Sequence, residues 1–220
     1  VGSVPLVGLS DLAAEDVGVL KEADYICVVH WSGTLRWGTE LAEGVFHYVK
    51  ENGKGRTYFD TSDPTPKKDD MPRLLRRIML GNLVDIFGMN ETEAFWYASK
   101  LTRKTRSLRK TLKTEEFSKE CARILAKNLP TRIDLHTSTF AGSFTRENEV
   151  VVPVFNVPVL RITGAGDAWN AGNIFGEVLG LPDSCRLTFA NAVAAYYISS
   201  PAAEHPTLPK LVEFCHSHAN

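Results

Sequence analysis

Short apolar runs alternate with helix-like segments between Ala23 and Asn90, and this alternation constrains the fold more than any other feature of the chain. The apolar runs are residues 23–31, 57–59 and 83–87, and helical patterns occupy residues 39–51 and 72–80 between them. Strands that alternate with helices form a mostly parallel sheet covered by helices. The first run is almost continuously apolar, which predicts a strand buried on both faces. We therefore expect an α/β protein.

The second half of the sequence continues with helices and short strands. A helix is expected over 114–128, short strands near 133–136, 140–145 and 150–154, and two long helices over 166–179 and 183–199. In the first long helix Ala168, Ala171, Phe175 and Leu179 form the apolar stripe. Because no repeat or low-complexity linker divides the 220 residues, we expect residues 1–220 to form a single domain.

Composition indicates a soluble globular protein with no global electrostatic field. Apolar residues make up 44% of the chain, and the formal net charge is −1, so any anion site must be local. The four scattered cysteines, Cys27, Cys121, Cys185 and Cys215, are expected to be reduced thiols. No apolar run approaches the ~18 residues that span a bilayer, and the start at Val1 lacks the charged region of a signal peptide. We expect a cytoplasmic protein with neither a membrane nor a nucleic-acid partner.

The most informative motif is the glycine-rich segment that opens the first long helix, residues 163–172. Glycines at a helix start let the backbone approach a ligand, and the unpaired N–H groups of the first turn form an anion site. Asp167 would repel a phosphate there, unless it takes a proton from the group that attacks the phosphate. A dinucleotide fingerprint is excluded because Trp169 stands where its third glycine belongs, and a P-loop because Gly55 follows the only Gly-Lys pair. The alternative to an anion site is a purely structural role, in which the glycines only form a tight turn from strand to helix.

The full string Thr-Gly-Ala-Gly-Asp-Ala-Trp-Asn-Ala-Gly resembles the signature of the ribokinase-like carbohydrate kinases, the PfkB family. The resemblance extends in order through most of the chain, from Asp60 and Asp85 through residues 90–93 to residues 190–192. It implies a ribokinase-like fold, a three-layer αβα arrangement with a mostly parallel central sheet. It also implies an ATP-dependent kinase that transfers the γ-phosphoryl group to a sugar hydroxyl.

The resemblance assigns roles to the residues of the turn. Asp167 is expected to be the catalytic base, and Gly164, Ala165 and Gly166 the anion hole that stabilises the transferring phosphoryl group. ATP and Mg²⁺ are the implied cofactors, and a small sugar or nucleoside is the implied partner.

Asn90 and Glu93 match the family's N-x-x-E motif, which implies a role at Mg²⁺, usually through water. The same two residues also form the sequence pattern of a helix capping box, and both interpretations can hold together. Asp60 stands at the end of a strand, where it is expected to form a turn or, less simply, to join the phosphate or metal network.

Asn191, Thr137 and Ser138 are the candidate nucleotide-binding residues. Asn191 lies on the apolar stripe of the second long helix and needs a partner there, either a local backbone group or a ligand. Thr137 and Ser138 belong to a segment that departs from the family's T-x-G-x-x-G pattern. Arg161 replaces the acid that usually precedes the glycines, which places a cation near the turn.

Two other segments attract attention and receive simpler interpretations. Residues 100–113 contain seven cations and no acid, with little aromatic interleaving, so a solvated helix face or loop is expected rather than an RNA site. Cys215, His216 and His218 crowd the C-terminal end with no fourth ligand nearby, and we expect no metal there.

Three alternatives to a sugar kinase stay open: a nucleoside kinase, a catalytically silent nucleotide-binding protein of the same fold and, a distant third, a basic RNA-binding module. By resemblance the early strands, a sugar-binding motif and a β lid that often mediates dimerisation would precede Val1. We therefore expect the 220 residues to be the C-terminal catalytic and nucleotide-binding portion of a longer kinase, of a kind that often forms homodimers, with an exposed sheet edge or face.

Overall fold

The computed structural model describes residues 6–218, and Val1 to Pro5, where the signal-peptide argument applies, lie outside them. The helices of this part are α1 (Ala14–Glu22), α2 (Gly38–Asn52), α3 (Met71–Leu74), α4 (Glu91–Leu101), α5 (Thr105–Thr111), α6 (Thr114–Asn128), α7 (Ala165–Val178), α8 (Asp183–Ser199) and α9 (Leu208–Ser217). The strands are β1 (Tyr25–Val29), β2 (Arg56–Asp60), β3 (Ile86–Asn90), β4 (Arg132–His136), β5 (Phe140–Phe144) and β6 (Glu149–Pro153). The helices α1 and α9 have no counterpart in the sequence-based expectation.

The six strands form one sheet in chain order, β1 to β6. The pairs β1–β2 and β2–β3 are parallel, with Val28 opposite Phe59 and Phe59 opposite Phe87. Residues 137–139 alone join β4 to β5, and residues 145–148 join β5 to β6. Connections this short join antiparallel strands. At the start of β4 the N–H of Arg132 donates to the carbonyl of Asp85, just before β3, as the N–H of Arg56 does to Asp24 at the start of the parallel β1–β2 pair. Three of the five pairs are therefore parallel, and the α/β fold with a mostly parallel sheet is confirmed.

The chain divides into two compact units. The first contains the residues up to Asp134 together with Phe144–Glu147, and the second contains Leu135–Ser143 and the residues from Asn148 onward. Whether the chain is one domain stays a prediction. None of the described helices has both the length and the apolar character needed to cross a membrane.

A line of aromatic rings forms the core of the first unit. Phe46 of α2 meets Phe59 of β2 edge to face at 5.5 Å between centroids, Phe59 stacks on Phe87 of β3 at 5.8 Å, and Phe87 meets Tyr97 of α4 at 5.0 Å. All four side chains are fully buried. Such pairs contribute about 0.5–1.5 kcal/mol each beyond the area they bury. This packing fixes β2, β3 and α4, the elements that carry Asp60, Asn90 and Glu93.

Two strand predictions need correction. In β1 only Ile26 is buried, while Cys27 and Val29 are exposed, so the prediction of a strand buried on both faces is wrong. The reason is position, since β1 is an edge strand that pairs with β2 alone. β3 begins three residues later than expected. Asp85 lies just before the strand, because its carboxylate accepts hydrogen bonds from Lys50 and from the backbone N–H of Thr57.

Small residues let α7 and α8 pack closely in the second unit. A Cβ on Gly172 would lie 2.9 Å from the Cα of Ala190, so only glycine permits this approach. The buried face of α7 therefore consists of Ala168, Trp169, Asn170, Gly172, Asn173 and Gly176. The predicted stripe is wrong beyond Ala168: Ala171 is exposed, and Phe175 and Leu179 are 42% and 52% exposed, because the close approach of α8 is made at the glycines of α7.

Candidate functional site

The glycine-rich turn ends in a helix start that leaves backbone donors free. Gly164 is the N-cap of α7 with φ +86°, and its carbonyl accepts the N–H of Ala168 at 2.9 Å. The N–H of Ala165 donates to Ile162 at 3.1 Å. Within the part of the chain that the structure describes, the N–H groups of Gly164, Gly166 and Asp167 donate to no protein acceptor. These free N–H groups and the helix dipole make the turn suited to an anion.

Asp167 lies in the first turn of α7 with its side chain exposed. No hydrogen bond or ion pair to another described residue engages its carboxylate. Both oxygens are therefore able to accept a proton or a hydrogen bond from a ligand. Free N–H donors and a free carboxylate thus lie within a few residues of each other at the start of α7. This is the combination of anion site and base that the sequence motif predicts.

Tyr197 of α8 supports the turn from behind. Its hydroxyl donates to the carbonyl oxygen of Thr163 at 3.1 Å, and its ring stacks on His205 at 4.8 Å. A Cβ on Gly164 would lie 2.6 Å from the Tyr197 hydroxyl oxygen. Gly164 is therefore required twice, by its left-handed backbone and by this close contact. Sequence reasoning placed Tyr197 only on a helix stripe and gave no signal for this role.

The side chain of Arg161 is hydrogen-bonded to the end of α8. Its guanidinium donates to the carbonyl oxygens of Tyr197 at 3.1 Å, Pro201 at 2.9 Å and Ser200. A cation is favourable at a helix C-terminus because the helix dipole is negative there. Arg161 thus ties the segment before the turn to the end of α8.

The β4–β5 turn lies beside the glycine-rich turn in the same unit. The ring of His136 is 5.1 Å from that of Trp169, and a Cβ on Gly166 would lie 3.2 Å from the His136 Cε1. The hydroxyl of Thr137 closes the β4–β5 turn, since it donates to the Phe140 carbonyl at 2.8 Å and accepts from the Phe140 N–H at 3.0 Å. Ser138 is exposed, and its hydroxyl binds no described residue. Sequence reasoning named His136 only as the first residue of the segment that departs from the T-x-G-x-x-G pattern and gave it no role.

Asn191 has protein partners for both ends of its buried amide. Its Oδ1 accepts the indole N–H of Trp169 at 2.9 Å, and its Nδ2 donates to the carbonyl of Pro153 at 2.8 Å. The amide therefore joins α7, α8 and the end of β6. The partner that the sequence required is found inside the protein, and a contact with nucleotide stays a prediction.

Arg186, which sequence reasoning missed, is the other polar centre of this unit. Its side chain is 1% exposed, and its guanidinium contacts Asp183 at 2.9 Å, Ser143 at 3.2 Å and Asn173. It links α8 to α7 and β5, and so holds the helix that begins at the glycine-rich turn.

In the first unit, Asn90 and Glu93 form the capping box that their spacing predicts. Asn90 Oδ1 accepts the N–H groups of Thr92 and Glu93, and Glu93 accepts the Asn90 backbone N–H at 3.0 Å and its amide at 2.8 Å. Burial, and after it the nearby carboxylates of Asp60 and Asp63, raise the pKa of Glu93 to about 8. Asp60 itself accepts the N–H of Ser62 at 2.8 Å, as expected of a turn-forming residue.

Mg²⁺ fits this cluster only through water. The single acceptor oxygen of Asn90 already receives two N–H groups, so it is not a direct ligand. Among residues 6–218 no three His, Cys, Asp or Glu side chains lie close enough to hold a metal ion. The carboxyls of Glu93 and Asp60 nevertheless stand together at this strand end, where a hydrated cation would favour the ionised form of Glu93.

The fold of this chain is that of the ribokinase-like sugar and nucleoside kinases. Adenosine kinase from Sinorhizobium meliloti superposes with a TM-score of 0.73 at 17% sequence identity, over 98% of this chain and 59% of that one. Fructokinase from Xylella fastidiosa, solved with bound ATP, gives a TM-score of 0.71 at 17% identity, over 98% of this chain and 67% of that one.

A third structure, described as a ribokinase II from E. coli in complex with ATP and Mg²⁺, gives 0.70 at 19% identity, over 95% of this chain and 64% of that one. The chain thus spans about three-fifths of the length of these kinases. No family model matches the sequence, and no curated protein matches it significantly.

Proposed function

We propose that this chain carries the catalytic and nucleotide-binding part of an ATP-dependent kinase that phosphorylates a sugar hydroxyl. The observation that supports this most is the start of α7, where free N–H groups of Gly164, Gly166 and Asp167 stand beside the free carboxylate of Asp167. The likeness of the whole chain to kinase structures supports the same conclusion. We propose a cytoplasmic protein.

In the proposed reaction the acceptor hydroxyl attacks the γ-phosphorus of ATP. Asp167 accepts the hydroxyl proton as the new oxygen–phosphorus bond forms, and the bond to the β-phosphate oxygen breaks to release ADP. The N–H groups of the turn stabilise the charge on the transferring phosphoryl oxygens. Ala165 is the middle residue of the predicted anion hole, but its own N–H donates to the Ile162 carbonyl. It would therefore help to shape the turn and would not donate to the phosphoryl oxygens.

We assign Asn90 and Glu93 a role at the Mg²⁺ that accompanies ATP. When bound, Mg²⁺ neutralises phosphate charge. Glu93 would accept hydrogen bonds from the waters of the ion, and a nearby cation would lower its raised pKa and ionise it. Asn90 holds Glu93 in place through the capping box.

The nucleotide contacts are proposed for Ser138, Thr137 and Asn191. Ser138 is the strongest of the three, because its exposed hydroxyl is free to donate to phosphate. Thr137 would position Ser138 by closing the turn. Asn191 would act by holding Trp169, whose ring lies against His136.

A nucleoside is the second candidate acceptor, and the structural likeness to an adenosine kinase favours it. A panel of ribose, fructose, ketodeoxygluconate, adenosine, inosine and cytidine with ATP separates the two. A silent nucleotide-binding protein is the third candidate, since Arg161 replaces an acid of the family motif and is occupied by α8. Such a protein would show an ATP-dependent rise in melting temperature without turnover on any acceptor.

Asp167→Asn tests the proposal. It should abolish phosphoryl transfer and leave ATP binding, measured by calorimetry, largely unchanged. Asp69→Asn is the matched control, because Asp69 is also an exposed aspartate but lies outside the turn; its turnover should equal that of the wild type. Unchanged turnover in Asp167→Asn would refute the assigned base.

A further inference from the structure

A cavity of about 450 Å³ lies in the first unit between α4, α5 and α6. Its volume falls in the range of about 300–1,000 Å³ that is typical of ligand sites. Phe95, Trp96, Phe117 and Leu112 supply its apolar lining, and Arg109 its cation. No residue assigned above to phosphoryl transfer lines it.

Aromatic rings group around Phe95 in this cavity. The Phe95 ring lies 6.0 Å from that of Trp96 and 5.8 Å from that of Phe117, measured between centroids. The guanidinium of Arg109 covers the Phe95 ring at 4.7 Å. Trp96 is half-buried, and its indole N–H donates to no other residue in the described part of the chain. Trp96 thus offers a stacking surface and a free donor to a flat polar ring.

A dense basic surface adjoins the cavity on α5 and its flanks. It consists of seven exposed cations: Lys100, Arg103, Lys104, Arg106, Arg109, Lys110 and Lys113. Across residues 6–218 none of the seven forms an ion pair with an acid. Glu91 is the acid of the cavity lining, and the nearby Glu115 and Glu116 at the start of α6 are paired with Lys119 and Arg123. In a chain of net charge −1, this local excess of positive charge is marked.

The two features together select the kind of ligand. A small neutral molecule would use the cavity and leave the cations without partners, whereas a polyanion without rings would leave the aromatic cavity empty. A nucleotide strand has both parts, a base with a π face and a chain of phosphates. A duplex is excluded as the ligand of the cavity, because its bases are stacked and paired inside.

We propose that this surface binds single-stranded nucleic acid, with one base against Trp96 in the cavity and the phosphates along the cations of α5. This revises the sequence-based expectation of no nucleic-acid partner. That expectation rested on the balanced charge of the whole chain and on the little aromatic interleaving within residues 100–113. The basic surface is a local excess of charge, and α4 and α6 supply the aromatics. The inference does not depend on the kinase activity.

Fluorescein-labelled hexauridylate, titrated with the full chain and followed by anisotropy, tests the proposal. Trp96→Ala should weaken binding by about tenfold, because one stacked base contributes on that scale. Trp96→Phe should restore most of the affinity, since it keeps an aromatic face. Arg109→Ala should reduce the slope of log K against log salt by about 0.7, the value for one phosphate contact on a single strand.

The matched control is Lys127→Ala, at the other end of α6, where the lysine is also exposed. It should leave both affinity and salt slope unchanged. Melting temperatures of all variants verify that they fold. Equal affinity in wild type and Trp96→Ala, or absence of binding at low salt, would overturn the proposal.

Three competitors distinguish the alternatives. Uridine monophosphate should compete far more weakly than hexauridylate; equal competition would replace the strand with a free nucleotide and overturn the proposal. Inorganic polyphosphate is the second competitor. If it binds as tightly as hexauridylate and its affinity is unchanged in Trp96→Ala, the surface is purely ionic and the proposal is overturned. Saturating Mg-ATP should not displace the strand, whereas displacement would place the strand at the nucleotide site of the kinase and refute a separate surface.

Discussion

Gly164→Ala is the substitution that most directly tests how the glycine-rich turn is built. Gly164 has φ +86°, and an alanine Cβ there would lie 2.6 Å from the hydroxyl oxygen of Tyr197. Two separate costs follow. The left-handed backbone costs an L-residue about 1–2 kcal/mol. The contact must also displace the Tyr197 hydroxyl from the Thr163 carbonyl, which costs about 0.5–1 kcal/mol for one hydrogen bond.

Gly180→Ala separates these two costs. Gly180 also has a positive φ, +69°, but nothing lies within 4 Å of the Cβ that alanine would add. It should therefore lose only the backbone part, about 1–2 kcal/mol. Gly164→Ala should lose about 1.5–3 kcal/mol in total.

The free energies of unfolding are measured by urea denaturation followed by far-UV circular dichroism. Hydrogen exchange of the backbone amides of α7 reports the turn locally. In a Tyr197→Phe background the Gly164→Ala loss should shrink toward the Gly180→Ala value, because the displaced hydrogen bond is already absent. Equal losses for Gly164→Ala and Gly180→Ala in the wild-type background would refute the role given to Tyr197.

Two further substitutions have defined outcomes. The pKa of Glu93 is raised to about 8 from an ordinary value of 4.5, so the protonated carboxyl stabilises the fold at low pH, and this stabilisation is lost as the pH rises toward 8. The slope is up to about 1.4 kcal/mol per pH unit. Glu93→Gln should remove this slope from urea unfolding measured between pH 5 and pH 8, and an unchanged slope would contradict the burial of an ionisable Glu93. Arg161→Ala should lower the unfolding free energy by about 1–2 kcal/mol through lost bonds to the end of α8, with Arg161→Lys recovering less than half; full stability in Arg161→Ala would show that these bonds contribute nothing.

Much of the order of strands and helices could be predicted, because local periodicity and capping residues determine it. Asn90 is the clearest case: its spacing from Glu93 predicts a capping box, and every expected bond is present. The face that an element buries was harder to predict. The burial of β1 depends on having one neighbouring strand, and that of α7 on how closely α8 approaches Gly172.

The sequence by itself determined the α/β fold and the position of the glycine-rich turn at a helix start, since both follow from patterns within a few residues. Only the tertiary structure decided which groups surround the turn. Tyr197 and His136 reach it from distant elements, Arg161 beside it is bonded to the end of α8, and the aromatics beside the basic surface come from two other helices. Contacts between residues far apart in the chain depend on packing and leave no spacing in the sequence from which they can be predicted.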